Sequence, residues 1–113
     1  MKILIVDDYA EMCLLIKAVL AEFADGIREC ADGAEALASY RENQADWVIM
    51  DLKLRQPDAL SVTRQITAAF PSARVIIVSD FDDSRMRQAA LSAGAREYVI
   101  KEELMQLREI LTT

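Results

Sequence analysis

Five short apolar runs frame this chain: Ile3-Leu4-Ile5-Val6, a weaker one from Ile27 to Ala31, Trp47-Val48-Ile49-Met50, Val75-Ile76-Ile77-Val78 and Tyr98-Val99-Ile100. Runs of strand length without polar alternation imply strands covered on both faces. Between them lie segments of helical period. This βαβαβ rhythm predicts an α/β fold, a doubly wound five-stranded parallel sheet with helices on both faces.

The intervening segments carry their own start and stop signals. Met12, Ile16, Val19, Leu20 and Phe23 recur at spacings of three and four, which places them on one face of a first helix. Asp32 stands three residues before Glu35, the spacing of a capping box, and the apolar face continues through Leu37 and Tyr40. Ala59, Val62, Ile66 and Ala69 form a third helix that should stop at Phe70, because Pro71 disfavours helical geometry just before it. A fourth helix is expected from about Asp82 to Ala93, with Gly94 as a left-handed cap. Leu104, Leu107 and Leu111 give a short closing helix, and Asn43-Gln44 reads as a loop. No repeat or linker interrupts the 113 residues, so residues 1–113 are read as one domain.

Composition narrows the function classes. Hydrophobic residues make up 53% of the chain, yet no apolar run approaches the roughly 18 residues of a membrane span. Met1-Lys2 leads straight into the first run, so no targeting segment and a cytoplasmic protein are expected. Thirteen basic residues, scattered and outweighed by nineteen acidic ones for a net charge of -6, argue against direct nucleic-acid binding. Cys13 and Cys30 lack metal-ligand spacing and read as buried thiols. The chain has no histidine. Carboxylates, hydroxyls and lysines are therefore the available chemistry, and oxygen ligands suit a hard cation such as magnesium.

The informative residues stand where each strand ends, the edge at which open parallel sheets bind ligands. The first strand runs into Asp7-Asp8, the third into Asp51, the fourth into Ser79 and the fifth into Lys101. Singly, each has an ordinary explanation as a helix cap, a turn hydroxyl or a solvated charge. Their convergence carries the signal. Carboxylates about 5 Å apart repel by roughly 3 kcal/mol per pair at an effective dielectric near 20. A divalent cation would reverse that repulsion and neutralise a phosphoryl group passing to a carboxylate, with Asp51 the natural acceptor.

Asp7-Asp8, Asp51-Leu52-Lys53-Leu54, Val78-Ser79, Gly94-Ala95 and Tyr98-Val99-Ile100-Lys101 together resemble the motifs of response-regulator receiver domains, over essentially the whole chain. The resemblance implies the flavodoxin-like strand order 2-1-3-4-5. It implies Asp51 as the phosphorylation site, Asp8 as a direct ligand of magnesium or manganese, and Asp7 as a ligand mostly through water. The main-chain carbonyl of Lys53 would be a further ligand, and Ser79 and Lys101 would bind the phosphoryl oxygens. Tyr98 holds the position of an aromatic that turns inward when the phosphoryl group draws the hydroxyl residue toward it. The implied donor is a phosphohistidine on a sensor histidine kinase or phosphotransfer protein, and the output is altered partner binding. The chemistry acts on the chain itself, so no enzyme in the usual sense is expected. A homodimer through the fourth-helix, fifth-strand and fifth-helix face, or through the first and fifth helices, would fit the family, as would a transcriptional role for a longer parent regulator.

The chain departs from the family pattern at several positions. Arg55 and Ala59 replace a common proline and glycine, with Pro57 nearby, so a differently shaped loop is expected beyond Asp51. Glu102 replaces the proline that commonly follows the lysine in a cis peptide, and a trans bond is expected because a non-proline cis bond costs about 2.5–4 kcal/mol. Asp80 stands where a small residue is usual and brings negative charge toward the phosphoryl position; Asp80, Asp82 and Asp83 also read as helix-start charge. Lys53 and Phe81 are further candidates for rate control. The rivals are a receiver-like interaction module that is not phosphorylated and a small magnesium-dependent aspartyl-phosphate phosphatase, whose acidic pair is normally two residues apart. A flavodoxin-like electron carrier fits less well, since the first strand leads into Asp7-Asp8-Tyr9 rather than a phosphate-cradling loop.

Overall fold

The apolar runs become strands and the periodic segments become helices in a computed structural model of the chain, which describes residues 1–54 and 58–112. The order is β1 (Lys2–Val6), α1 (Ala10–Leu20), β2 (Gly26–Cys30), α2 (Gly33–Asn43), β3 (Trp47–Asp51), α3 (Ala59–Ala69), β4 (Val75–Ser79), α4 (Ser84–Ser92), β5 (Glu97–Ile100), a 3-10 turn (Lys101–Glu103) and α5 (Gln106–Leu111). All strand pairs are parallel and the sheet order is β2-β1-β3-β4-β5, the order the resemblance implied.

Successive side chains of a strand point to opposite faces, which divides the core in two. Ile3, Ile5, Ile49, Ile76, Val78 and Val99 pack with Cys13, Ile16 and Leu20 of α1 and Leu107 and Leu111 of α5. Leu4, Val6, Val48, Met50, Val75, Ile77 and Tyr98 pack on the other face with α2, α3 and α4 through Ala36, Tyr40, Val62, Ile66 and Ala90. The edge strand β2 explains its weaker apolar signal: only Cys30 among its residues is fully buried. It starts one residue before the run read from the sequence.

Polar residues fix the helix ends. Asp32 Oδ1 accepts the Glu35 N–H at 3.0 Å, Asp58 Oδ1 accepts that of Ser61 at 2.8 Å, and Asp83 Oδ1 accepts those of Arg85 and Met86. Caps of this kind are worth about 1 kcal/mol each. The first helix closes at Leu20, so Phe23 packs from the following turn rather than from the helix. Ala69 proves exposed, and buried Thr63 takes its expected place on the inner face of α3, its hydroxyl donating to the Ala59 carbonyl at 2.8 Å.

Gly94 follows α4 with φ +111°, and a β-carbon there would meet Thr67 Oγ1 at 2.6 Å. Both the dihedral and the close approach of α3 require glycine. The turn it makes aims the chain into β5 and so sets where Lys101 emerges.

Candidate functional site

Strand register decides which residues meet at the carboxyl edge. Val6 pairs with both Cys30 and Met50, Asp51 with Val78, and Ser79 with Ile100. Asp7 and Asp51 therefore stand level, one residue beyond Val6 and Met50, while Ser79, Asp80 and Lys101 follow one or two residues further along β4 and β5, so four strands deliver polar groups to the same edge. Asp7, Asp8 and Asp51 each offer an oxygen within 4.8 Å of the other two. A cleft of about 590 Å³ is lined by Asp8, Tyr9, Met12, Asp51, Lys53, Asp80 and Lys101.

Asp51 is buried at 3% exposure. Its Oδ1 accepts the Lys53 N–H at 3.1 Å and stands 3.2 Å from Lys101 Nζ. Lys101 is mostly buried and begins the 3-10 turn, so the chain brings its ammonium to Asp51 without a proline at position 102. Asp8 is exposed on the cleft wall.

Asp7 is the strained member of the cluster. Its Oδ1 accepts the Tyr9 N–H at 2.9 Å, while its buried Oδ2 has no hydrogen-bond partner among the described residues. Burial pushes the carboxyl up from 3.8 to about 6; the Tyr9 N–H pulls against this, and the neighbouring Asp51 charge adds to it. At about 5 Å, ionised carboxylates repel by roughly 3 kcal/mol per pair. An orphaned oxygen beside two further carboxylates fits a hard, oxygen-ligated cation, which would supply the partner that Oδ2 lacks. Burial likewise raises the Cys13 thiol to about 11, so that residue is an inert neighbour, with its Sγ 3.7 Å from the Asp7 carbonyl oxygen.

Ser79 sits at 1% exposure and does not line the cleft. Its Oγ accepts the Phe81 N–H at 3.0 Å. The Phe81 carbonyl in turn accepts the Tyr98 hydroxyl at 2.7 Å. Tyr98 is buried, and Arg87 lies over its ring at 4.9 Å and donates to its carbonyl at 3.2 Å. The two peptide groups of Phe81 therefore link Ser79 to Tyr98, while its side chain stays exposed.

The acidic cluster after β4 separates into different roles. Asp83 caps α4. Asp80 instead turns into the cleft, where it contacts Lys53 Nζ directly and lies 3.8 Å from Lys101 Nζ. Reading Asp80 as helix-start charge is thus corrected, whereas its approach to the site agrees with expectation. What the sequence did not signal is that the Lys53 side chain would reach across to meet it. Ala59 opens α3 and is buried. The departures at Arg55 and Pro57 lie outside the described residues.

Comparison with known proteins agrees with this geometry. Residues 3–112 match the family model of the response regulator receiver domain. The chain is 33% identical over 101 residues to chemotaxis protein CheY of Bacillus subtilis (strain 168), covering 88% of this chain and 84% of that protein. It is 31% identical over 99 residues to transcriptional regulatory protein ZraR of Salmonella typhimurium, spanning 88% of this chain but 22% of that longer protein. Among solved structures, a two-component response regulator of the LuxR family from Aurantimonas sp. SI85-9A1 superposes with TM-score 0.86 at 32% identity, covering 97% of this chain and 83% of that one. No helix among the described residues is long and apolar enough to cross a membrane. With sheet order, strand-end polar groups and family match in agreement, the chain belongs to the response regulator receiver domains of two-component signal transduction.

Proposed function

We propose that this receiver accepts a phosphoryl group on Asp51 with the help of a magnesium ion, and that the modified state changes partner binding. The carrying observation is the pairing of buried Asp51 with Lys101 at 3.2 Å inside a cluster of three carboxylates, one of which has an orphaned oxygen. Asp7, Asp8 and Asp51 would hold the cation, with the Lys53 carbonyl as a further ligand by family analogy. Such an ion neutralises charge on a transferring phosphoryl group.

The chain's own residues supply the rest. An Asp51 carboxylate oxygen attacks the phosphorus, an O–P bond forms, and the P–N bond of a donor phosphohistidine breaks, its electron pair returning to the imidazole nitrogen. With a small donor such as acetyl phosphate, the P–O bond breaks and acetate leaves. Lys101 then offers a charge-assisted hydrogen bond to a phosphoryl oxygen. Ser79 can donate its hydroxyl to another once it turns from the Phe81 N–H. That turn loosens Phe81, whose carbonyl holds Tyr98, which gives the event a path to the α4–β5 surface. A kinase or phosphotransfer protein carrying phosphohistidine is the partner class this chemistry fits, and the reaction modifies the chain rather than turning over a separate substrate.

Beryllofluoride separates this reading from a receiver-like module that is never phosphorylated. Fluorine NMR of the protein with beryllium, fluoride and magnesium is expected to give bound resonances that vanish in Asp51→Asn and on chelation. Free fluoride species alone, at saturating magnesium, would assign the chain to the unphosphorylated class.

A further inference from the structure

Asp80 sits on the segment between β4 and α4 and spans two cations. Its Oδ2 contacts Lys53 Nζ, and its Oδ1 faces Lys101 Nζ at 3.8 Å, while Lys101 Nζ also faces Asp51 Oδ1 at 3.2 Å. Lys53, Asp80, Lys101 and Asp51 thus form a row of alternating charge, and all four line the same cleft. The exchange of charge is mutual: contact with Asp80 raises the Lys53 ammonium, and contact with Lys53 lowers the Asp80 carboxyl.

We propose that Asp80 is a latch, an internal anion that occupies the Lys101 ammonium a phosphoryl group on Asp51 would recruit, is held there by Lys53, and must swing out before phosphorylation proceeds. The inference rests on the phosphoacceptor reading given above. A phosphoryl group on Asp51 brings anionic oxygens toward Lys101, and Asp80 beside the same ammonium would then repel them. Moving Asp80 outward is feasible, since it is 36% exposed and precedes the Asp83 cap. The cost is two ion pairs, of which the one to Lys53 is solvent-accessible, each equivalent to a factor of roughly 1.5–5 in a rate or equilibrium, or about two- to 25-fold together. Because the pair to Lys53 is accessible, salt weakens the latch.

The latch is tested by the rate at which the full chain and its Asp80→Asn and Asp80→Ala variants take up a phosphoryl group from acetyl phosphate at saturating magnesium. Both variants are expected to react about two- to 25-fold faster at low ionic strength. Their advantage should shrink as salt is added. Equal or slower rates in the variants, with the native chain still modified, would overturn the latch and leave the phosphoacceptor reading in place. If neither the native chain nor the variants gain phosphoryl mass, the phosphoacceptor reading falls, and the latch with it.

Discussion

Replacing Lys101 by Met is expected to slow phosphoryl uptake from a small donor by on the order of 100-fold or more, the usual loss when a preorganised donor to a developing anion is removed. The ammonium faces Asp51 directly, it is 11% exposed, and its low-dielectric position makes its charge count for more than it would in water. Methionine keeps most of the length of the stem and removes the charge and its hydrogen-bond donors. Magnesium affinity should be retained or increased in the variant, because a competing cation has gone from beside three carboxylates. Rates should be compared at saturating magnesium, where the metal balances the charge left on Asp51. A variant as fast as the native chain would remove Lys101 from the chemistry.

Asp7→Asn is expected to make the metal-free protein more stable at pH 7.5, by up to about 3 kcal/mol, although it deletes a candidate ligand. Burial holds the folded Asp7 carboxyl near 6 against 3.8 in the unfolded chain. The folded state therefore favours the protonated form, whose stabilising contribution is fully present below about 3.8 and is lost as pH rises through about 6. The asparagine advantage should accordingly be largest above pH 7, shrink through pH 6 and disappear below pH 4. Magnesium should narrow it from the other side by stabilising the native chain, and native affinity for the ion should weaken as pH falls below about 6. Urea unfolding in chelator across this range measures the difference. An asparagine variant less stable than the native chain at pH 7.5 would mean that the orphaned Asp7 oxygen is not a source of strain.

Much of this was legible before any coordinates because the two periodicities are clean. The unbroken run at Val75–Val78 has no exposed face to offer, and all its residues are indeed buried, whereas Ile27 to Ala31 gave a weak signal because β2 lies at the sheet edge. The change from Val6 to Asp7, from Met50 to Asp51 and from Ile100 to Lys101 marked the functional edge, since parallel strands end at the same side of the sheet, with Asp7 and Asp51 level and Lys101 two residues beyond. The sheet order came from family resemblance; alternation alone does not choose among parallel orders. What stayed hidden depends on side-chain direction. Asp80, Asp82 and Asp83 look alike in the sequence, yet Asp83 caps a helix while Asp80 reaches Lys53, a contact between loops far apart along the chain. The idle oxygen of Asp7 and the Ser79–Phe81–Tyr98 relay are likewise matters of rotamer and loop path, which residue spacing does not encode.

The central claim is that the carboxylate held by Lys101 is the group that becomes phosphorylated. Intact-mass analysis after incubation with acetyl phosphate and magnesium addresses it most directly, comparing the native chain, the native chain in chelator, and Asp51→Asn. The native chain with magnesium is expected to gain the mass of a single phosphoryl group, and the other two samples none. Equal uptake by Asp51→Asn, or no uptake by a folded native chain that binds magnesium, would contradict it.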